Sequence, residues 1–327
     1  MDMDKLKMGI LACGGIAAVM AETISRMEQV ELIAVGARDY SRAEEFAKRF
    51  GVQRAYGSYE ELVNDKEVEL VYIASPHSHH YEHMKLCLAH GKHVLCEKAF
   101  TANTKQAEEV IRLAKEKGLL LAEAMWVRYM PMCRTLQEVI ASGAIGEIST
   151  LTANLHYVID QNERIVKSEL AGGALLDVGI YTLTFASICL GDDVDRVTSD
   201  AVLFDTGVDA QSTMVLTYRD GKVAVLTGGT RGLSDRMGIL YGRKGYIVVK
   251  NINNFEAIEV YDLNRSLVKR YEAPPQITGY EYEVEACLRA IRSGRTECEE
   301  MPHAKTLLMM RRMDEIREQL GIRYPFE

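Results

Sequence analysis

The feature that most restricts this chain is the rhythm of its first third, where short apolar runs alternate with amphipathic stretches. The runs at 7–12, 30–37, 68–73, 93–96 and 119–122 are continuous, as strands buried on both faces are. Between them apolar residues recur at helical spacing over 16–27, 41–50, 79–90 and 103–117, with a short turn of helix at 59–63. Gly51, Gly91 and Gly118 close three of these helices, and Asn103 with Gln106 three residues on reads as an N-terminal cap. Strands that alternate with helices pack as a parallel, doubly wound sheet.

After Glu123 the texture changes. A helix is expected at 132–142, a strand at 148–157, a turn at Gly172-Gly173 and a helix at 178–190. Strands follow at 211–218, 222–229, 237–241, 246–249, 257–262 and 267–271, the first two joined as a hairpin across Arg219-Asp220-Gly221. Two amphipathic helices, 280–293 and 303–320, end the chain. A broad antiparallel sheet covered by few helices needs a partner, which predicts a homodimer or a dimer of dimers through that sheet.

Composition narrows the function. A net charge of −8 argues against nucleic acid, whose phosphates need a basic surface. No run reads as approaching a membrane span, and Met1 is followed by no apolar leader, so the expected location is the cytoplasm. Seven cysteines, mostly inside apolar runs and without CxxC spacing, fit reduced core thiols.

Three places carry chemistry. The turn Ala12-Cys13-Gly14-Gly15-Ile16-Ala17 follows the first strand and opens a helix, where exposed N–H groups and the helix dipole favour a diphosphate. It matches the dinucleotide fingerprint only with Ala12 in the first glycine's place, a substitution expected to be tolerated because alanine is small. The second strand ends Ala37-Arg38, with Arg42 a helical turn on. An arginine fork suits a 2′-phosphate, so NADP is favoured over NAD, with Asp39 free to turn to the ribose or to pair with Arg42. His77 precedes a helix rich in histidine, and surface or coenzyme-side positions are expected for these rings in preference to a metal site.

The strand His93-Val94-Leu95-Cys96 ends in Glu97-Lys98. Lys98 is either half of a solvated ion pair or a cleft lysine that holds a substrate oxygen. Trp126 and Arg128 are either linker packing or a cover for the nicotinamide or diphosphate. In the second domain, Asp177 and Tyr181 stand four apart and would share a helix face. Asp177 can cap that helix while facing substrate hydroxyls, and Tyr181 offers a phenol for proton exchange. A tyrosine titrates at about 10, so it needs a cation such as Lys98 to work near neutrality.

Together the motifs at 10–17, Ala37-Arg38-Asp39, Gly91 through Lys98, Glu123-Ala124-Met125-Trp126 with Arg128, and 172–181 resemble the glucose-fructose oxidoreductase / inositol dehydrogenase family. The likeness runs along nearly the whole chain, through Gly279-Tyr280-Glu281, and is similar to the dihydrodiol and xylose dehydrogenase branch. It implies an α/β chain with an N-terminal Rossmann domain at 1–123 and a C-terminal α/β domain at 124–302. The second would carry a large open, mostly antiparallel sheet for substrate binding and dimerisation, and helix 303–320 would pack back on the first. It implies hydride transfer between a nicotinamide coenzyme and a sugar, polyol or related alcohol. Lys98, Asp177 and Tyr181 fall in the family's catalytic positions, Ser75, Pro76 and His80 match positions lining the nicotinamide side, and His77 and Glu97 are expected coenzyme contacts. Ala99 replaces the family's proline, which would leave the loop after Lys98 less fixed. The family also includes NAD-dependent glycosidases and a dinucleotide-sensing repressor, the alternatives to a dehydrogenase.

Overall fold

The computed structural model describes residues 5–327; residues 1–4, which open the stretch read as lacking an apolar leader, lie outside them. The chain divides into two compact units, Met1–Tyr129 with Gln276–Met310, and Met130–Pro275 with Arg311–Glu327.

In the first unit the order is β1 (Leu6–Leu11), α1 (Gly15–Ser25), β2 (Val30–Gly36), α2 (Tyr40–Phe50), β3 (Arg54–Tyr56), α3 (Tyr59–Asn64), β4 (Leu70–Ile73), α4 (His77–Ala89), β5 (His93–Glu97), α5 (Thr104–Lys117) and β6 (Leu121–Ala124). The strands form one parallel sheet in the order β3-β2-β1-β4-β5-β6. Winding reverses between β1 and β4, so the crevice for a ligand opens beyond the carboxyl ends of those two strands. Met8, Ile10, Tyr72 and Leu95 are wholly buried, as continuous apolar strands require. The caps are local chemistry. Asp39 accepts from the Ser41 N–H at 2.9 Å to start α2, and Asn103 Oδ1 accepts from the Gln106 N–H at 3.0 Å to start α5. Gly51 and Gly118 end those helices with φ of 69° and 66°.

In the second unit come α6 (Pro131–Ala141), β7 (Ile148–His156), α7 (Glu163–Val166), a π-helical turn (Leu175–Gly179), α8 (Ile180–Leu190), β8 (Val194–Leu203), β9 (Asp209–Tyr218), β10 (Val223–Gly229), β11 (Gly238–Gly242), β12 (Gly245–Lys250), β13 (Ala257–Asp262) and β14 (Leu267–Glu272). Eight strands make one sheet in the order β14-β13-β12-β11-β7-β10-β9-β8, antiparallel except where β10 pairs parallel with β7. The hairpin across Gly221, φ 87°, is as expected. Strands β8 and β3 were not foreseen. The segment Ser168–Leu190 is long and apolar enough to cross a membrane, contrary to the expectation that no run approaches one. Its most apolar 18-residue window is 94% buried within the fold, as a core helix is.

Helices α9 (Glu281–Arg292) and α10 (His303–Leu320) close the chain. The expected boundaries need correction here. The first unit runs to Tyr129, not 123, and takes 276–302 as well. Physical ties explain both. The Tyr129 hydroxyl donates to the Glu123 carbonyl at 2.8 Å, and the Leu121 N–H donates to the Thr296 carbonyl at 3.1 Å, so the later segment covers the β6 edge. Helix α10 gives only its first turns, to Met310, to this unit, where His303 Nε2 lies 2.8 Å from the Leu121 carbonyl. Arg317 and Gln319 belong to the second, where Gln319 donates to the Val197 carbonyl at 3.0 Å.

Candidate active site

The turn after β1 is built for close approach. Helix α1 starts from Gly14 without a side-chain cap, and a Cβ at Gly14 would meet nothing nearer than the Ala74 carbonyl, 3.9 Å away. This leaves the first turn of α1, with Gly15 and Ile16, suited to hold the diphosphate of a dinucleotide. Ala12 has φ 79°, in the left-handed region that favours glycine. Its smallness is therefore not what decides whether alanine is tolerated there; the backbone is strained, and the earlier expectation is corrected. Ala12→Gly is expected to raise the unfolding free energy by about 1 kcal/mol without loss of coenzyme affinity. A urea midpoint equal to or below that of the wild type would refute it.

At the end of β2, Ala37 is buried while Arg38 and Arg42 are exposed. Asp39 is spent as the α2 cap: Oδ1 also accepts from the Ser41 hydroxyl at 2.8 Å, and these bonds hold its carboxyl below the usual range. Both guanidiniums act on the Tyr59 phenol, which burial pushes up, and Arg42 also acts on Cys13, whose thiol burial pushes up to about 11. The two arginines thus form one cationic patch beside the β1 turn.

The loop after β4 is tied to the loop after β5 by His80, fully buried, with Nε2 2.8 Å from the Ser75 carbonyl and Nδ1 2.8 Å from the Ala99 carbonyl. Burial pushes this imidazole down to about 4, so the neutral ring donates to one carbonyl at a time. His80 therefore holds the loops from behind and does not present a polar atom to a coenzyme, which corrects its expected place among the contacts. Ser75 is buried with its hydroxyl 2.9 Å from His83 Nδ1, and His77 is buried after Pro76 at the start of α4.

Glu97 is buried and accepts from the Tyr72 hydroxyl, so the alternative of a solvated Glu97-Lys98 pair fails. Tyr72 lies wholly in the core, its phenol pushed well up by burial and by Glu97. Lys98 is half-buried. The next residues, Ala99, Phe100 and Thr101, are buried. Trp126 and Arg128 form a 3-10 turn in which the indole stacks on Tyr280 at 4.2 Å and 7°, and Arg128 Nε donates to the Glu300 carbonyl at 3.2 Å.

In the second unit, Asp177 lies in the π-helical turn and Tyr181 in the first turn of α8; both are buried. An i→i+5 turn winds more residues than the α-helix on which their shared face was argued. Asp177 does not cap the helix. The cap is Asp209, whose Oδ2 accepts from the Leu175 N–H at 2.7 Å and whose carboxyl burial pushes up to about 6. Asp177 instead pairs with Arg164, Nη1 to Oδ1 at 2.7 Å. A Cβ at Gly228 would stand 3.0 Å from the Gly179 Cα, so two glycines let this helix sit close on β10. Arg164, Asp209 and Tyr72 were not singled out from the sequence, and Tyr280 entered there only within the Gly279-Tyr280-Glu281 likeness and as the first residue of an expected helix.

Comparison with known proteins agrees along the whole length. Residues 6–125 match the model described as an oxidoreductase family with an NAD-binding Rossmann fold, and residues 133–248 match the GFO/IDH/MocA C-terminal domain. Among curated relatives, trans-1,2-dihydrobenzene-1,2-diol dehydrogenase of Mus musculus is 32% identical, covering 98% of each chain. D-xylose 1-dehydrogenase (NADP(+)) of Hypocrea jecorina is 31% identical over 98% of this chain and 93% of its own. A 3-ketoreductase from Actinomadura kijaniata, solved with NADP and TDP-benzene, superposes with a TM-score of 0.86 at 26% identity, covering 97% of this chain and 98% of its own.

Proposed function

Since the chain belongs to the GFO/IDH/MocA oxidoreductase family and is an NAD(P)-dependent enzyme acting on CH–OH groups, we propose that it prefers NADP and works on a sugar, polyol or related diol. The observation that carries the coenzyme preference is the end of β2. Arg38 and Arg42 offer two guanidiniums beside the diphosphate turn, while the one carboxylate that could have taken a ribose hydroxyl is used as a cap. The names of the relatives support the substrate class, a diol in one case and a pentose in the other.

The coenzyme supplies or accepts the hydride. In this reading Tyr181 exchanges a proton with the substrate oxygen, Lys98 holds that oxygen and favours the phenolate, and Asp177 orients neighbouring hydroxyls. The turn at Ala12, Gly14, Gly15 and Ile16 holds the diphosphate. Ser75, Pro76 and His77 stand on the nicotinamide side, and Glu97, Trp126 and Arg128 shape the wall. The subunits pair as a dimer, or a dimer of dimers, through the second unit's sheet. Its outermost strands leave Val202 51%, Leu267 51% and Val268 64% exposed. A cytoplasmic location suits seven free thiols.

The test is a panel of aldoses, inositols, cyclic diols and keto-sugars with NADP(H) and NAD(H), followed by absorbance of the reduced coenzyme. Turnover with the phosphorylated coenzyme favoured is the expected result. Arg38→Ala and Arg42→Ala should each weaken NADPH binding about tenfold or more, the worth of a charge-assisted hydrogen bond, while barely touching NADH. Equal losses for both coenzymes would remove the arginines from recognition of the 2′-phosphate.

A further inference from the structure

Asp177 is a carboxylate with 5% of its surface exposed, flanked along the chain by buried Leu175, Leu176, Val178 and Ile180. A charge in such surroundings is costly unless a counter-ion is brought to it. The counter-ion comes from a separate segment. Arg164 Nη1 donates to Oδ1 at 2.7 Å and Nη2 to Oδ2 at 3.5 Å, so two arms of one guanidinium address the two oxygens. The Arg164 side chain is 42% exposed against 7% for Asp177, which makes the cation the solvent side of the pair.

Arg164 is delivered by an anchored element. Helix α7 has only four residues, but Ile165 is wholly buried, the Gly173 N–H donates to the Ile165 carbonyl at 2.8 Å and the Gly172 N–H to the Lys167 carbonyl at 3.1 Å. The Thr206 hydroxyl donates to the Val166 carbonyl at 2.5 Å. A Cβ at Gly172 would stand 2.4 Å from the Ile165 carbonyl oxygen. The glycine pair is therefore more than a turn: its lack of side chains lets α7 close down on the chain that leads into the Asp177 helix.

We propose that Arg164 is a positioning residue, acting through the ion pair to fix the plane of the Asp177 carboxylate and so to set which hydroxyl configuration of a polyol the enzyme accepts. The inference rests on the reading of Asp177 as the substrate-orienting group. A carboxylate held closely at Oδ1 and loosely at Oδ2 has a restricted azimuth, and a hydroxyl must meet it there. Released, it would rotate and accept epimers more evenly.

The experiment compares wild type, Arg164→Ala, Arg164→Lys, Asp177→Asn and the Arg164→Ala/Asp177→Asn double variant. The readouts are kcat and KM for two epimeric substrates, and NADPH affinity by fluorescence. Arg164→Ala should lower kcat/KM for the better epimer about 10- to 100-fold and shrink the preference between epimers, with NADPH affinity unchanged. Arg164→Lys, or methylguanidine added to Arg164→Ala, should restore part of the loss. The double variant should be no worse than Asp177→Asn, because the two residues act as one unit. Losses that multiply in the double variant, or an Arg164→Ala enzyme with unaltered kcat/KM and epimer preference, would overturn the role of Arg164 alone. A wild-type protein with no coenzyme-linked turnover overturns the underlying reading, and this inference with it.

Discussion

Tyr181→Phe should lower kcat by about 10²- to 10⁴-fold, the usual worth of a positioned proton donor, with coenzyme affinity unchanged. The substitution removes one hydroxyl from a ring that is 7% exposed in the first turn of α8 and leaves the ring's volume in place. The helix is secured independently of that hydroxyl, by the Asp209 cap and by the Thr182 hydroxyl donating to the Gly179 carbonyl at 2.8 Å. A fall in turnover therefore reports chemistry and not unfolding. Steady-state kcat against substrate, with NADPH titrated separately, separates the two. A phenylalanine variant that turns over within about threefold of the wild type would remove Tyr181 from proton transfer, since general acid–base assistance is worth far more.

The second large effect is on stability. Glu123 on β6 is 2% exposed, and burial pushes its carboxyl from 4.5 up to about 7; the nearby Thr306 and the charge of Arg128 pull the other way, and Glu97 adds repulsion. A group whose folded value is raised holds its proton longer in the folded chain than in the unfolded one. Its contribution is full below about 4.5 and is lost as the pH rises through about 7, a total of roughly 3 kcal/mol. Glu123→Gln keeps the shape and abolishes the titration. The unfolding free energy of wild type minus variant should thus fall by about 3 kcal/mol between pH 4.5 and pH 8, measured by urea denaturation at each pH. Parallel pH profiles for the two proteins would mean that Glu123 is not held protonated by the fold. Other buried acids, Asp209 among them, shape the absolute profile but cancel in the difference.

How far the chain could be read in advance follows from what each element leaves in the sequence. Strands β1, β4 and β5 are buried on both faces and announce themselves as unbroken apolar runs. Strand β8 is an edge strand in which only Val197 is buried, so it shows neither a run nor an alternation; β3 is three residues long. Apart from Asp177 the residues of the π-helical turn are apolar or glycine, and all five are buried, so a single polar residue gives no stripe whose phase could reveal an extra residue. Asp177 and Tyr181 could be picked out by type and position, but the partner of Asp177 could not. Arg164 meets it only because two glycines allow a tertiary approach that no local spacing encodes. Ala12 was visible as a departure from a glycine pattern, yet whether the departure matters depends on the sign of φ.

The lone parallel pairing in the second unit's sheet has a consequence for biosynthesis. Among the described residues the strands that pair with β7 are β10 and β11, and both leave the ribosome long after it, at Val223–Gly229 and Gly238–Gly242. At about 5–20 residues per second, this nine-residue ribbon waits several seconds with both margins open and its Leu151 and Leu155 side chains uncovered. The Tyr181 helix, made during the wait, cannot settle on its platform until translation has passed Gly229.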